Sequence, residues 1–248
     1  MANKTRPMAL EPVMEMFTGQ VNSVSVCRDK SLSIDNFYTV HSIHDHEIAK
    51  VIIQIFEDCK YGRESIEYLG GDADKLLLVF RYSRPRPILD FFMGDERRLT
   101  ECEDIIKGLI AECIATKLPY PLLYLVISQR KINLSQDGSI LFDMAVDLAA
   151  IDPGITERDC ARALAELVRD LLAEQKKVDA LSLQLIRSKL YRGSYERFRE
   201  LYVDVALAAK PKQRMNLRER WKRFWMLYGP IFFRVGLVLA IIAMIVAP

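Results

Sequence analysis

The stretch from Trp221 to Pro248, WKRFWMLYGPIFFRVGLVLAIIAMIVAP, limits what this chain can become more than any other. From Phe224 onward it carries a single formal charge, Arg234, and from Val235 onward none, a composition that favours hydrocarbon over water. As a helix, residues 231–247 reach ~25 Å at ~1.5 Å per residue, slightly less than a ~30 Å hydrocarbon core, so Arg234 and the aromatic residues before it must complete the span. Arg234 can snorkel toward one interface. Trp221, Trp225 and Tyr228 stand where an aromatic belt would lie, with Lys222 and Arg223 among them. Lys210, Lys212, Arg214, Arg218 and Arg220 crowd the same side, and this excess of positive charge marks it as cytoplasmic. The competing reading is a core helix of a soluble domain, but such a helix rarely abuts a basic run. The expectation is a single-pass membrane protein with a basic juxtamembrane segment at 210–223, a transmembrane helix at 224–248 and a cytoplasmic N-terminal domain.

The formal net charge of +2 conceals a split, because residues 210–234 carry eight Lys/Arg against Glu219 alone and leave a net −5 elsewhere. Anionic lipid is the partner this predicts, each basic residue near such a surface contributing ~1 kcal/mol, and nucleic acid is not expected. Cys27, Cys59, Cys102, Cys113 and Cys160 are odd in number and never form a CxxC pair, which fits reduced thiols in a cytosolic domain and neither a disulfide framework nor a zinc site. The opening MANKTRPMALEPVMEMF has no uninterrupted apolar run, so no signal peptide is expected. Ahead of the apolar stretch there is room for one domain of about 200 residues.

Residues 1–20, with Pro7, Pro12 and Gly19, read as an irregular lead-in, and 21–209 as the folded domain. Apolar alternation around Val21, Val24 and Val26, and again at Leu32, Ile34, Phe37, Tyr38 and Val40, predicts two or three antiparallel strands. From Asp45 the period becomes helical, with Ile48, Val51, Ile52, Ile55 and Phe56 on one face behind an Asp cap and a stop near Tyr61 and Gly62. After a short apolar segment from Ile66 to Leu69, KLLLVFRY from Lys75 to Tyr82 predicts the clearest strand, ended by Pro85 and Pro87. Thr100 and Glu103 have capping-box spacing ahead of a helix whose apolar face is Ile105, Ile106, Leu109, Ile110, Cys113 and Ile114. Asp137-Gly138 between two short apolar runs predicts a hairpin. Thr156 and Asp159 repeat the capping spacing before a stripe of Leu164, Leu167, Val168, Leu171 and Leu172, and two further helices follow, from Leu181 and after Gly193. Strands, a helix, a strong strand, a helix, a hairpin and then helices make an α+β domain.

This order and the hairpin residues resemble an abbreviated protein-kinase fold. KLLLVFRYSRPRPILDFF is similar to the last N-lobe strand, hinge and following segment of kinases. The helix from Thr100 resembles the long helix before the catalytic loop, and ISQRKINLSQDGSILFDMAVDL resembles the run from that loop to the magnesium-binding motif. The likeness covers residues 74–148. Kinases transfer phosphate by positioning and electrostatics: an Asp orients the nucleophile, an Asn and an Asp hold magnesium, and a strand Lys and a Gly-rich cover grip the phosphates. Aligned on the Asp-Gly turn, the resemblance puts the catalytic Asp position at Val126, the Asn position at Lys131 and the magnesium Asp position at Met144, with Asp143 one residue out of step. The first 80 residues hold no GxGxxG, and no VAIK-like Lys stands in a predicted strand. About 60 residues separate Asp152 from the basic run, short for an activation segment and a complete C-lobe. The resemblance therefore implies a pseudokinase with no catalytic residue, no cofactor and no metal.

In layout, a kinase-like cytosolic domain followed by one membrane helix, the chain is also similar to the cytosolic and transmembrane part of the EssB/YukC family of type VII secretion systems, which continues into an extracytoplasmic domain. That resemblance implies a membrane-anchored scaffold recruiting cytosolic partners to a secretion or injection complex. Its partners would be lipid, other subunits and, through the membrane helix, further copies of itself. Two rivals stand beside it: an active membrane-tethered phosphotransferase with an unorthodox site at Lys131, Asp143 and Asp147, and a structural subunit of unrelated α+β fold.

Other clusters have plainer readings. His41, His44, His46 and Glu47 lack the i, i+4 spacing of a helical metal site and straddle a predicted loop-to-helix junction, so solvated turn residues are expected. Asp143 and Asp147 read as a solvated edge of the hairpin. Gly70, Gly71 and Asp72 lack the Lys and helix start of a phosphate loop and read as a tight turn.

Overall fold

The alternating residues ahead of Asp45 form an antiparallel sheet. The computed structural model describes residues 9–31, 36–59, 61–71, 74–93, 98–174, 181–193 and 195–208. Over these, β1 (Leu10–Thr18), β2 (Asn22–Asp29), β3 (Phe37–Ile43), β4 (Tyr68–Gly71) and β5 (Leu76–Arg81) lie in the order β1-β2-β3-β5-β4, each neighbouring pair antiparallel. β1 corrects the irregular lead-in expected over residues 1–20. Pro12 is accommodated because β1 is an edge strand whose register slips between Pro12 and Met14, and again between Glu15 and Phe17. Gly70 and Gly71 end β4 instead of forming a turn, and a Cβ at Gly71 would collide with the Lys75 carbonyl oxygen. Leu32, Ile34 and Asp72 lie outside the described residues.

Alternation gives the sheet two unlike faces. One carries Ile43, Leu78 and Phe80 into the main core, where they join Ile52 and Phe56 of α1 (His46–Asp58). The other gathers Cys27, Tyr38, Val40 and Val79 into a smaller cluster. Helix α1 begins as expected: Asp45 Oδ1 accepts hydrogen bonds from the backbone N–H groups of Glu47 at 2.8 Å and Ile48 at 3.0 Å. Asp45→Ala removes this cap and should lower stability by about 1 kcal/mol, read as a shifted urea midpoint, whereas Asp45→Asn, which keeps the acceptor, should shift it far less.

Below the sheet come α2 (Ile88–Met93), α3 (Leu99–Ala115), α4 (Tyr120–Ser128), the hairpin β6 (Ile132–Leu134) and β7 (Ile140–Phe142), then α5 (Glu157–Glu174), α6 (Leu181–Arg192) and α7 (Phe198–Ala208). Gly138 turns the hairpin at φ 84°, a conformation glycine adopts without strain. The stripe Leu164, Leu167, Val168, Leu171 and Leu172 of α5 is wholly buried. Its start is tied as the spacing predicts, with Thr156 N–H and Oγ1 both donating to Asp159 Oδ2 at 2.9 and 2.7 Å. The capping box expected at Thr100 and Glu103 does not form. Helix α3 has its N-cap at Arg98, two residues before Thr100, and Glu103 is buried, accepting from Ser182 Oγ of α6 at 2.9 Å. Ile114 also leaves the expected apolar face: it follows buried Cys113 and so points about 100° away, 52% exposed.

All five cysteines are free, four of them buried. Burial pushes the Cys160 thiol up to about 12 and Cys113 further still, so both are unreactive thiols. Residues Met1–Ala209 form one unit and Lys210–Pro248 a second. The second contains the predicted juxtamembrane segment, the transmembrane helix and every residue from Lys210 to Arg234 assigned to lipid or the membrane interface, and it lies outside the described residues. Among the described helices none is long and apolar enough to cross a membrane.

Candidate functional site

Strand β3 continues past Val40 to Ile43, which places His41 within the sheet and on its core-facing side, 0% exposed. His41 is therefore not the solvated turn residue its neighbourhood suggested, while His44 and His46 are exposed. Opposite it runs the extended segment 143–148, which follows β7. His41 Nε2 donates to the Met144 carbonyl oxygen at 2.5 Å, and its Nδ1 accepts from Asn22 Nδ2 at 3.2 Å. Asn22, also 0% exposed, donates to the Val146 carbonyl at 3.2 Å and accepts from the Leu148 N–H at 3.0 Å through Oδ1. Because one ring nitrogen faces a carbonyl and the other an amide NH₂, the network fits a neutral imidazole protonated on Nε2. Burial lowers the His41 pKa to about 4, with the Met144 bond pulling weakly the other way. The Phe80 ring meets the imidazole edge-on, 5.8 Å between centroids.

The same segment is held from below. Gln129 Nε2 donates to the Asp147 carbonyl at 2.8 Å and Gln129 Oε1 accepts from the Asp147 N–H at 2.9 Å, closing a two-bond ring. The Asp143 N–H donates to the Lys131 carbonyl at 2.8 Å. Each acid closes its own turn, Asp143 Oδ1 accepting from Ala145 N–H at 3.0 Å and Asp147 Oδ1 from Ala149 N–H at 2.9 Å. Asp143 is 8% exposed, so the solvated edge expected there is corrected: the hairpin packs against the core and leaves this carboxylate inside.

The positions implied by kinase chemistry fall as follows. Val126 is fully buried within α4, so a helix stands where a catalytic loop would present its Asp. Lys131 is half-buried and bonded through its backbone to Val126 and Asp143. Met144 is buried, and its carbonyl is occupied by His41. Kinases carry the phosphate-binding Lys on the strand before the first large helix; the strand in that place here is β3, FYTVHSI, which holds no lysine. Only one glycine, Gly19, lies in the turn joining β1 to β2. Among the described residues no three His, Cys, Asp or Glu side chains are grouped to hold a metal ion.

Asn22 and Gln129 were not singled out in the sequence, and His41 was assigned to a turn. Two of them carried a signal, since Asn22 and His41 occupy the apolar phase shared by Val24, Val26 and Ile43 on adjacent strands, and a polar residue in that phase requires a buried partner.

In sequence, neither a family model nor a curated protein matches the chain. In structure it is similar to the PknI kinase domain of Mycobacterium tuberculosis. A single cysteine-to-alanine mutant of that domain superposes with a TM-score of 0.54 at 13% identity, the unmutated domain with 0.51 at 13%, each alignment covering 84% of this chain and 99% of that one. A further structure of the domain gives 0.53 at 11% identity, covering 85% and 100%. The likeness thus extends well past residues 74–148, and the short stretch after Asp152 does not keep it from spanning those domains. An unrelated α+β fold is set aside: the described residues, all within the Met1–Ala209 unit, have a protein-kinase-like fold.

Proposed function

We propose that the protein is a non-catalytic, kinase-like scaffold, held at the inner face of a membrane by residues 210–248, that recruits cytosolic partners to a membrane complex of secretion or injection type, as the EssB/YukC layout suggests. The observation that carries this reading is the His41–Met144 hydrogen bond. It joins the strand that would supply a phosphate-binding Lys to the position that would supply a magnesium-binding Asp. Phosphoryl transfer needs charge at both places, and here a neutral imidazole bonded to a backbone carbonyl stands between them. The membrane part rests on the apolar and basic residues from Lys210 onward, with lipid, other subunits and further copies of the chain as partners.

Calorimetric titration of the full-length chain in mild detergent with ATP and magnesium should give no saturable heat. Tight magnesium-dependent binding, with turnover lost in Asp143→Ala, would overturn the proposal in favour of an active phosphotransferase, a reading that draws on the kinase-like fold itself. Recovery of the protein in the soluble fraction after detergent-free lysis would remove the membrane part.

A further inference from the structure

A groove of about 870 Å³ crosses one end of the sheet, from β1 past β3 to residues 82–85, and shares no lining residue with the Asn22–His41–Met144 network. Its apolar wall includes Met14 and Phe37, which are 48% and 38% exposed despite their chemistry. Phe37 is braced edge-on against Tyr82, 6.5 Å between ring centroids. Arg81 and Arg84 stand on the same rim, both exposed. Among the described residues neither Arg81 nor Arg84 has a carboxylate within ion-pair reach, a state shared with other exposed arginines such as Arg63 and Arg187. Glu67 also lines the groove, but it is already engaged by a neighbour.

A concave apolar wall beside two guanidiniums that have no carboxylate partner among the described residues has a definite complement. Guanidinium groups bind carboxylates through two parallel hydrogen bonds, which gives direction as well as charge attraction. An exposed aromatic and a methionine accept an apolar side chain. A lipid surface calls for a broader run of four to eight basic residues, whereas this site has two, set in a recess. We infer that the groove binds an acidic peptide segment of a partner protein, with its carboxylates on Arg81 and Arg84 and an apolar side chain against Met14 and Phe37. The inference rests on the scaffold reading and names the class of partner it would recruit.

The test is fluorescence anisotropy of the full-length chain in mild detergent with three fluorescein-labelled peptides: Glu-Asp-Leu-Phe-Glu-Asp, its amide counterpart Gln-Asn-Leu-Phe-Gln-Asn, and Glu-Asp-Ser-Ser-Glu-Asp, which lacks the anchor. The first should bind at least about tenfold more tightly than either of the others, and more weakly as salt rises. Arg81→Glu with Arg84→Glu should abolish binding, Arg81→Lys with Arg84→Lys should leave an intermediate affinity, and Arg187→Glu, at an exposed position of α6, should change nothing. Unaltered thermal melts would show that the variants remain folded. Equal binding of the amide peptide, indifference to charge reversal, displacement of the peptide by ATP with magnesium, or Arg81- and Arg84-dependent capture of anionic vesicles in place of the peptide would each overturn the inference. Absence of peptide binding leaves the non-catalytic reading standing, while nucleotide binding that leaves the peptide in place ends that reading alone.

Discussion

Asn22→Ala should lower the unfolding free energy by about 4 kcal/mol, the largest effect expected of any polar substitution in the domain. Asn22 is 0% exposed and makes three hydrogen bonds, to His41 Nδ1, the Val146 carbonyl and the Leu148 N–H. Alanine leaves those three groups buried without partners, and each such loss costs about 1–3 kcal/mol. The deficit should appear as a lower urea midpoint with an unchanged slope. Asn22→Asp should be at least as damaging, because aspartate keeps the acceptor for Leu148 but loses both donors and brings a charge into the core. Gln20→Ala, two residues away and exposed, should stay within about 0.5 kcal/mol of the parent. If Asn22→Ala also fell within 1 kcal/mol, the network would not be holding the sheet to segment 143–148.

Stability should also fall steeply between pH 6.5 and pH 4, and His41 is the cause. Its pKa drops from an ordinary 6.5 to about 4 on folding, chiefly through burial. The unfolded chain therefore binds the proton first as pH falls, so the contribution of His41 is fully present above pH 6.5, declines through this window and is gone below pH 4. A separation of about 2.5 units corresponds to roughly 3 kcal/mol at the acid limit. The chemistry agrees: a protonated Nδ1 would point a hydrogen at the Asn22 amide, which is itself donating there. Asp137 and Asp159, whose carboxyls are held below the usual range by hydrogen bonds from Ser139 and Thr156 respectively, lose their contributions only at lower pH. Chemical denaturation at half-unit pH steps separates the two regimes. His41→Gln, though less stable throughout, should be nearly flat between pH 6.5 and 4; a curve as steep as the parent's would show that another group titrates there.

The difference between what was legible and what was not follows the range of the interactions. The cap at Asp45, the tie between Thr156 and Asp159 and the turn at Gly138 each involve residues within three or four positions of one another, so their spacing in the sequence is their geometry. β1 was hidden because Pro12 and three polar or charged residues, Glu11, Glu15 and Thr18, break the alternation of LEPVMEMFT, a composition that an edge strand with two register slips tolerates. The clamp between the sheet and segment 143–148 was hidden for the opposite reason. His41 and Met144 are 103 residues apart and Asn22 and Leu148 are 126 apart, and no local pattern announces which carbonyl a buried side chain will find. That Val126, Lys131 and Met144 stand at the positions the kinase resemblance assigns was readable from the hairpin alone; that His41 bonds the Met144 carbonyl was not.

Residues 149–156, the brief link from the clamped segment to α5, have a consequence of their own. Asp147 bonds to Ala149, Asp152 to Gly154 and Asp159 to Thr156, so the link is a chain of small closed turns. Thr156 is the one hydroxyl residue in AAIDPGIT, and it already donates to Asp159. The backbone of this link is tied at each of these turns. The strap beneath the sheet therefore reaches α5 through bonds that its own acids close.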